Sequence, residues 1–235
     1  MILQVWMIWI VVVVHVKGHG RLLDPPQRSS MWRAGYKVPI NYDDNGLFCG
    51  GMNNQWSING GRCGECGDPY QQKRPRPNEE GGLYGTGTIG RTFIAGQVIV
   101  AKVELTQSHM GFFQFKLCKK ETKEELTTQH CLDKNILQLE NGSGNKYYVQ
   151  DPRPGMHYPR IQLPKNLVCE NCVLQWHYTA GNNWGDCDNG TFTTGCGPQE
   201  TFVNCADIRI LPKISKPDLK YHSFKNQINS KAKDN

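Results

Sequence analysis

Four segments of the chain alternate apolar and polar residues with a period of two. Over residues 97–105 (QVIVAKVEL), Ile99, Ala101, Val103 and Leu105 share one side. Over residues 111–118 (GFFQFKLC), Phe113, Phe115 and Leu117 do the same, and residues 172–178 (CVLQWHY) and 202–210 (FVNCADIRI) are further strand-like runs. Successive side chains of an extended chain point to opposite faces, so each segment predicts a strand with one face in a core. The alternation puts Phe113, Phe115 and Trp176 in that core. Helical spacing is scarce, and Gly-rich turns rather than helices separate the runs. This order predicts an all-β domain, an antiparallel β-sandwich. No internal repeat is visible.

The pattern fails at both ends and in one long stretch between. Residues 1–18 (MILQVWMIWIVVVVHVKG) form an apolar run that stops at residues 15–17, with Val16 and Gly18 at the small positions before a cut. It is shorter than the roughly 20 residues of a membrane-spanning helix, and reads as a signal peptide that routes the protein to secretion. Residues 19–90 are mostly loop, rich in Gly, Pro and Asn, with a short helix expected over residues 26–33 and Asp24 as its N-cap. From Lys213 to the end the chain is polar and basic and reads as a disordered tail. The expected organisation is therefore a leader 1–18, a β-sandwich domain 19–212 and a tail 213–235.

Ten cysteines follow the leader: Cys49, Cys63, Cys66, Cys118, Cys131, Cys169, Cys172, Cys187, Cys196 and Cys205. An even count on a secretory route implies five disulfides. Zinc is the competing reading of Cys63-x-x-Cys66 and Cys169-x-x-Cys172, but about a hundred residues separate them, far more than in a zinc ribbon. Spacing does not settle connectivity; the working expectation is 63–66, 118–131, 169–172 and 187–196, with Cys49 joined to Cys205. The net charge of +6, much of it in the tail, is too small and too scattered for a nucleic-acid surface. No second apolar stretch follows the leader, so no membrane role is expected. Asn141-Gly-Ser and Asn189-Gly-Thr are glycosylation acceptors in loop-like sequence.

Cleavage after Gly18 would make His19 the N-terminal residue. Such a residue offers an amine and an imidazole to one metal, and a third nitrogen from a second histidine completes a set suited to copper. The stretch HGRLLDPPQRSSMWR that starts at His19 resembles the mature start of the lytic polysaccharide monooxygenases of invertebrates, the fifteenth auxiliary-activity family. The resemblance continues through LFCGG (47–51), CGECGD (63–68), GTGTI (85–89), SHMGFF (108–113), LQWHYTAGN (174–182) and QETFVNCADI (199–208). It covers residues 19–211 almost continuously.

This resemblance implies an immunoglobulin/fibronectin-III-like sandwich, with long disulfide-pinned loops, that binds one copper ion through His19 and His109. It implies Phe202 at the axial position, where family members often carry Tyr, and Gln107 where a small residue is usual. The two-residue period puts Glu200 on the side of Phe202, which suits a role in proton handling or in orienting the oxygen species. His130, His157, His177 and His222 lie outside any matching block and are expected to be structural or solvent-facing. Trp32, Tyr36, Tyr42, Trp56 and Trp184, in loops, are candidates for stacking on sugar rings. The implied activity is oxidative cleavage of crystalline chitin, or of cellulose, by a monomer that draws on an electron donor and on O2 or hydrogen peroxide. A non-catalytic chitin-binding or matrix protein and a module for a protein partner are the alternatives.

Overall fold

The structure, a computed structural model, describes residues 19–214. The leader, the tail beyond residue 214 and His222 lie outside the described residues. The described residues form thirteen strands: β1 (His19–Asp24), β2 (Arg91–Ile94), β3 (Val98–Val100), β4 (Lys102–Gln107), β5 (Phe112–Lys120), β6 (Gln138–Leu139), β7 (Tyr147–Tyr148), β8 (Gly155–His157), β9 (Arg160–Gln162), β10 (Cys169–Thr179), β11 (Trp184–Asp186), β12 (Phe192–Thr194) and β13 (Thr201–Leu211). One sheet runs β2-β13-β10-β5-β7, a second β1-β4-β8 and a third β3-β9-β6, while β11 and β12 form a hairpin. The inward residues Leu22, Val103 and Leu105 of the second sheet share one core with Phe113, Phe115, Leu117, Trp176, Tyr178 and Phe202 of the first. This is the expected sandwich, with one exception to its antiparallel pairing: β2 lies parallel to β13.

Residues 97–105 do not make one strand. The chain breaks at Ala101, whose amide donates to the Pro159 carbonyl. Before it β3 pairs with β9, and after it β4 pairs with β1 and β8. Ile99, Ala101, Val103 and Leu105 are nevertheless all buried. Alternation reports the buried side of a chain, and says nothing of which neighbour supplies its hydrogen bonds.

The stretch 19–90 is more ordered than its composition suggests. It opens with β1, which lies so close over the core that a Cβ at Gly20 would sit 2.7 Å from Leu105 Cδ2 and 3.0 Å from the Trp176 ring. The expected short helix forms as a 3-10 helix over Arg28–Ala34, but Asp24 does not cap it; Gln27 occupies the N-cap and Asp24 pairs with Arg91 at 2.9 Å. The reason is Pro25-Pro26, which disfavours helical backbone in the residue before each proline.

Residues 63–85 cover the outer face of the first sheet, so β10 and β13 are buried on both sides. Arg28, 2 % exposed, anchors this layer. It donates to both carboxylate oxygens of Asp207 at 2.7 Å, to Glu80 Oε1 at 2.6 Å and to the Asn78 carbonyl at 2.9 Å. Lys120 and Thr127 complete the shell of Glu80. Desolvation pushes the Glu80 carboxyl up, yet the Arg28 charge and the bonds from Arg28 and Thr127 prevail and hold it at about 2.

All ten cysteines form disulfides, and zinc has no thiolate left to bind. Three bridges are those expected: 118–131, 169–172 and 187–196. The other two are Cys49–Cys63 and Cys66–Cys205, in place of the expected 63–66 and 49–205. Cys66 is fully buried against Val173 and Cys205 of the sheet, whereas Cys63 is only half-buried and meets Cys49 in the covering loop. A tight turn, closed by the Gly67 amide on the Gly64 carbonyl, separates the two partners of the CxxC.

Candidate metal centre

His19 stands at the head of β1, paired in register with Gln107 near the end of β4. The pairing is irregular between His19 and Gly20. There the Gly20 amide turns to the Asn45 carbonyl at 3.1 Å, and Thr106 Oγ1 donates to the His19 carbonyl at 3.3 Å. The half-buried imidazole lies beside two aromatic rings, Phe48 and Phe202, each with its centroid 6.4 Å away. Phe202 is itself stacked on Tyr178 at 5.7 Å.

His109 sits two residues past Gln107, in the turn from β4 to β5. Its amide donates to Tyr178 Oη at 3.1 Å, and its carbonyl accepts from the Gly181 amide at 2.9 Å. Met110 and Gly111 take positive φ values of 57° and 77°. A Cβ at Gly111 would lie 2.1 Å from the Thr179 carbonyl oxygen, so only glycine lets the turn pack against the end of β10. The ring is aimed by two neighbours on its Nδ1: Asn182 Nδ2 at 2.8 Å and Glu200 Oε2 at 3.5 Å. Burial raises the Tyr178 phenol to about 12, with the Glu200 charge adding to the push and the His109 amide opposing it.

His19 and His109 thus belong to one end of the sandwich, linked through Phe202 and Tyr178. The donor set fits a single ion with a nitrogen preference. A ring that ligates through Nε2 carries its proton on Nδ1, where the Glu200 carboxylate, or the Asn182 amide turned to present its oxygen, accepts it, and such an acceptor on the far nitrogen is what orients metal-bound imidazoles in general. His19 adds an imidazole. A groove of about 480 Å³ lies against His109, lined by Phe48, Met52, Asn182, Asn183 and Glu200 among others.

The remaining sites scatter. Glu200 precedes β13 by one residue, and the two-residue period to Phe202 still directs both toward this end. Trp184, 67 % exposed, follows Asn183 on the hairpin. Trp56, 36 % exposed, donates to the carbonyl of Gln199, the residue before Glu200. Trp32 donates to the Asn41 carbonyl and packs on the exposed Tyr42, on the flank of the loop that holds Gly20. Tyr36 is not brought to the histidines: its hydroxyl donates to the Gly90 carbonyl at the other end of β1, near the Asp24–Arg91 pair. Asn141 and Asn189 are exposed, each accepting from the hydroxyl of its own acceptor triplet. His130 is exposed on the short helix α1 (Gln129–Asp133), His157 packs on Phe113 and Tyr147, and His177 lines a separate groove with Lys116 and Asp133. Phe48, Tyr178 and Asn182 went unassigned in the sequence, although each lies within or beside a quoted block; only Asn182, directly after the turn glycine that ends β10, carried a local signal of a polar tip.

Comparison with known proteins points the same way. The family model described as lytic polysaccharide mono-oxygenase, cellulose-degrading, matches residues 19–208. Among solved structures the chain is similar to an AA15 lytic polysaccharide monooxygenase from Thermobia domestica in the Cu(I) state, with 48 % identity and a TM-score of 0.80, covering 82 % of this chain and 98 % of that one. A search of curated proteins found no match.

Proposed function

Because the chain belongs to the family of lytic polysaccharide monooxygenases, copper-dependent enzymes that oxidise polysaccharides, we propose that it is secreted, loses residues 1–18, and cleaves chitin in preference to cellulose with a copper ion held by His19 and His109. The observation that carries the ligand assignment is the shared environment of the two histidines at one end of the sandwich, joined through Phe202 and Tyr178. In the full chain the nitrogen of His19 is a peptide amide; cleavage after Gly18 converts it to the amine that completes three nitrogens. Bound copper supplies one-electron chemistry that lets O2 or hydrogen peroxide, after reduction by an external donor, oxidise a carbon beside the glycosidic bond.

The chain's own residues prepare that chemistry. Asn182 and Glu200 fix the His109 ring through Nδ1 and present Nε2 outward. Phe48 and Phe202 wall one side of the His19 imidazole with hydrocarbon, which keeps water and competing ligands from that side. Phe202 can neither ligate nor donate a proton. Glu200, with its carboxylate near His109, is the group suited to hold and pass a proton beside the reacting carbon. Trp56, bonded to the residue before Glu200, and the exposed Trp184, next to Asn183, are suited to stacking on sugar rings. Monomeric action and glycans on Asn141 and Asn189 complete the reading. The chitin preference rests on the resemblance to invertebrate enzymes, whereas the matching family description names cellulose.

The test joins processing to activity. Secreted protein should begin His-Gly-Arg by N-terminal sequencing. Incubated with copper and a reductant, it should release oligosaccharides one oxygen heavier than native ones from chitin, with less from cellulose, and a chelator should stop release. A retained N-terminal extension should weaken copper binding sharply. Oxidised products from cellulose alone would overturn the substrate preference, and undiminished copper binding by the extended protein would overturn the role of the amine.

A further inference from the structure

We propose that Met52 is a sacrificial oxidation site of the metal centre, a thioether in the groove wall that takes up the oxidising equivalent when no polysaccharide covers the surface. The inference rests on the reading of His19 and His109 as copper ligands. Met52 lines the same groove as His109, Asn182 and Glu200. Its sulfur is held there, because Asn183 Nδ2 donates to Met52 Sδ at 3.4 Å. Asn183 is in turn clamped by Gln199, through its amide to Gln199 Oε1 and its carbonyl from Gln199 Nε2, each at 3.0 Å. The preceding residue, Asn182, is the one that touches His109. The sulfur therefore keeps a set place relative to His109, and Met52 is half-buried and lines the groove.

A thioether is soft, polarisable and easily oxidised. In the net reaction proposed, which copper held by the two histidines would catalyse, hydrogen peroxide gives one oxygen atom to the Met52 sulfur. The O–O bond breaks, a sulfur–oxygen bond forms, the sulfur loses two electrons, and the second peroxide oxygen leaves as water. The product, methionine sulfoxide, is polar and can be reduced again, unlike an oxidised imidazole ligand. The other methionines give internal references. Met31 is 1 % exposed in the core, and Met156, 37 % exposed, lies on β8 opposite Glu104 and away from the groove. Met110 follows His109 in the chain but does not line the groove.

The experiment uses the processed, copper-loaded protein, with copper binding established first by electron paramagnetic resonance. Ascorbate and hydrogen peroxide are then added without polysaccharide, and peptides are followed by mass spectrometry. Met52 should gain one oxygen several-fold faster than Met156, with Met31 unchanged, and the advantage should vanish when redox-inert zinc replaces copper. Met52→Leu, close in volume, should keep its copper spectrum and melting temperature and show faster oxidation of the His19 and His109 peptides. If copper binds but Met52 oxidises no faster than Met156, or equally fast with zinc, the inference fails and the ligand assignment stands. If no copper binds, both fail. The wild-type comparison decides the matter by itself should the leucine variant not fold.

Discussion

Replacing Cys66 and Cys205 together with alanine removes the bridge that ties the covering loop to β13. The bridge spans 139 residues of chain, against 14 for Cys49–Cys63. A crosslink restricts the unfolded chain more as the loop it closes grows; the chain-entropy relation gives about 5 kcal/mol for the long loop and about 3 kcal/mol for the short one. Both sulfurs of the long bridge are buried, one of them 3.5 Å from the Arg28 guanidinium, so alanine also leaves a small void there. The Cys66→Ala/Cys205→Ala variant should therefore lose more stability than Cys49→Ala/Cys63→Ala, by about 2 kcal/mol or more. Denaturant unfolding of copper-free protein is the assay, because a bound ion would raise both values. Glutamate-specific cleavage after Glu65, without reduction, separates the two halves of the CxxC and reads the pairing directly. A peptide linking Cys63 to Cys66, or equal losses in the two variants, would refute the reasoning.

His109→Ala should abolish copper binding while shifting the stability of metal-free protein by only about 1 kcal/mol, since the core lies elsewhere; calorimetry with and without copper checks both. Asn182→Ala should weaken copper affinity about 10- to 100-fold, the usual cost of losing a group that orients a ligand, measured by titration against a competing chelator. Arg28→Ala leaves Asp207 and Glu80 buried without their cation and should cost about 3–5 kcal/mol in denaturant. Desolvation, with Lys116 adding and Asp133 opposing, pushes His177 down to about 4. The folded state thus resists protonation that the unfolded chain accepts below about 6.5, so stability present at neutral pH declines as pH falls from there through 4. Acid melting curves should flatten in that window for His177→Gln, and an unchanged slope would rule His177 out as the cause.

Strand alternation was enough to determine which side chains are inside. Phe113, Phe115, Leu117, Trp176 and the row from Ile99 to Leu105 are buried as the period of two requires, because that period is a property of the extended backbone. The ordered blocks from His19 to Ile208 were equally legible, and they named the enzyme family. Pairing was not legible. Whether β3 and β4 share a sheet, whether β2 runs parallel to β13, and whether Cys66 meets Cys63 or Cys205 depend on neighbours distant in sequence, and a local pattern carries no record of them. The surroundings of the two histidines are of that second kind. Phe48, the pair Tyr178 and Asn182, and Glu200 come from three separate segments, and the Arg28–Asp207–Glu80 cluster joins residues up to 179 positions apart. Only the closing of the sandwich sets them within hydrogen-bonding or ring-contact distance, because side chains act on one another through space and not along the chain.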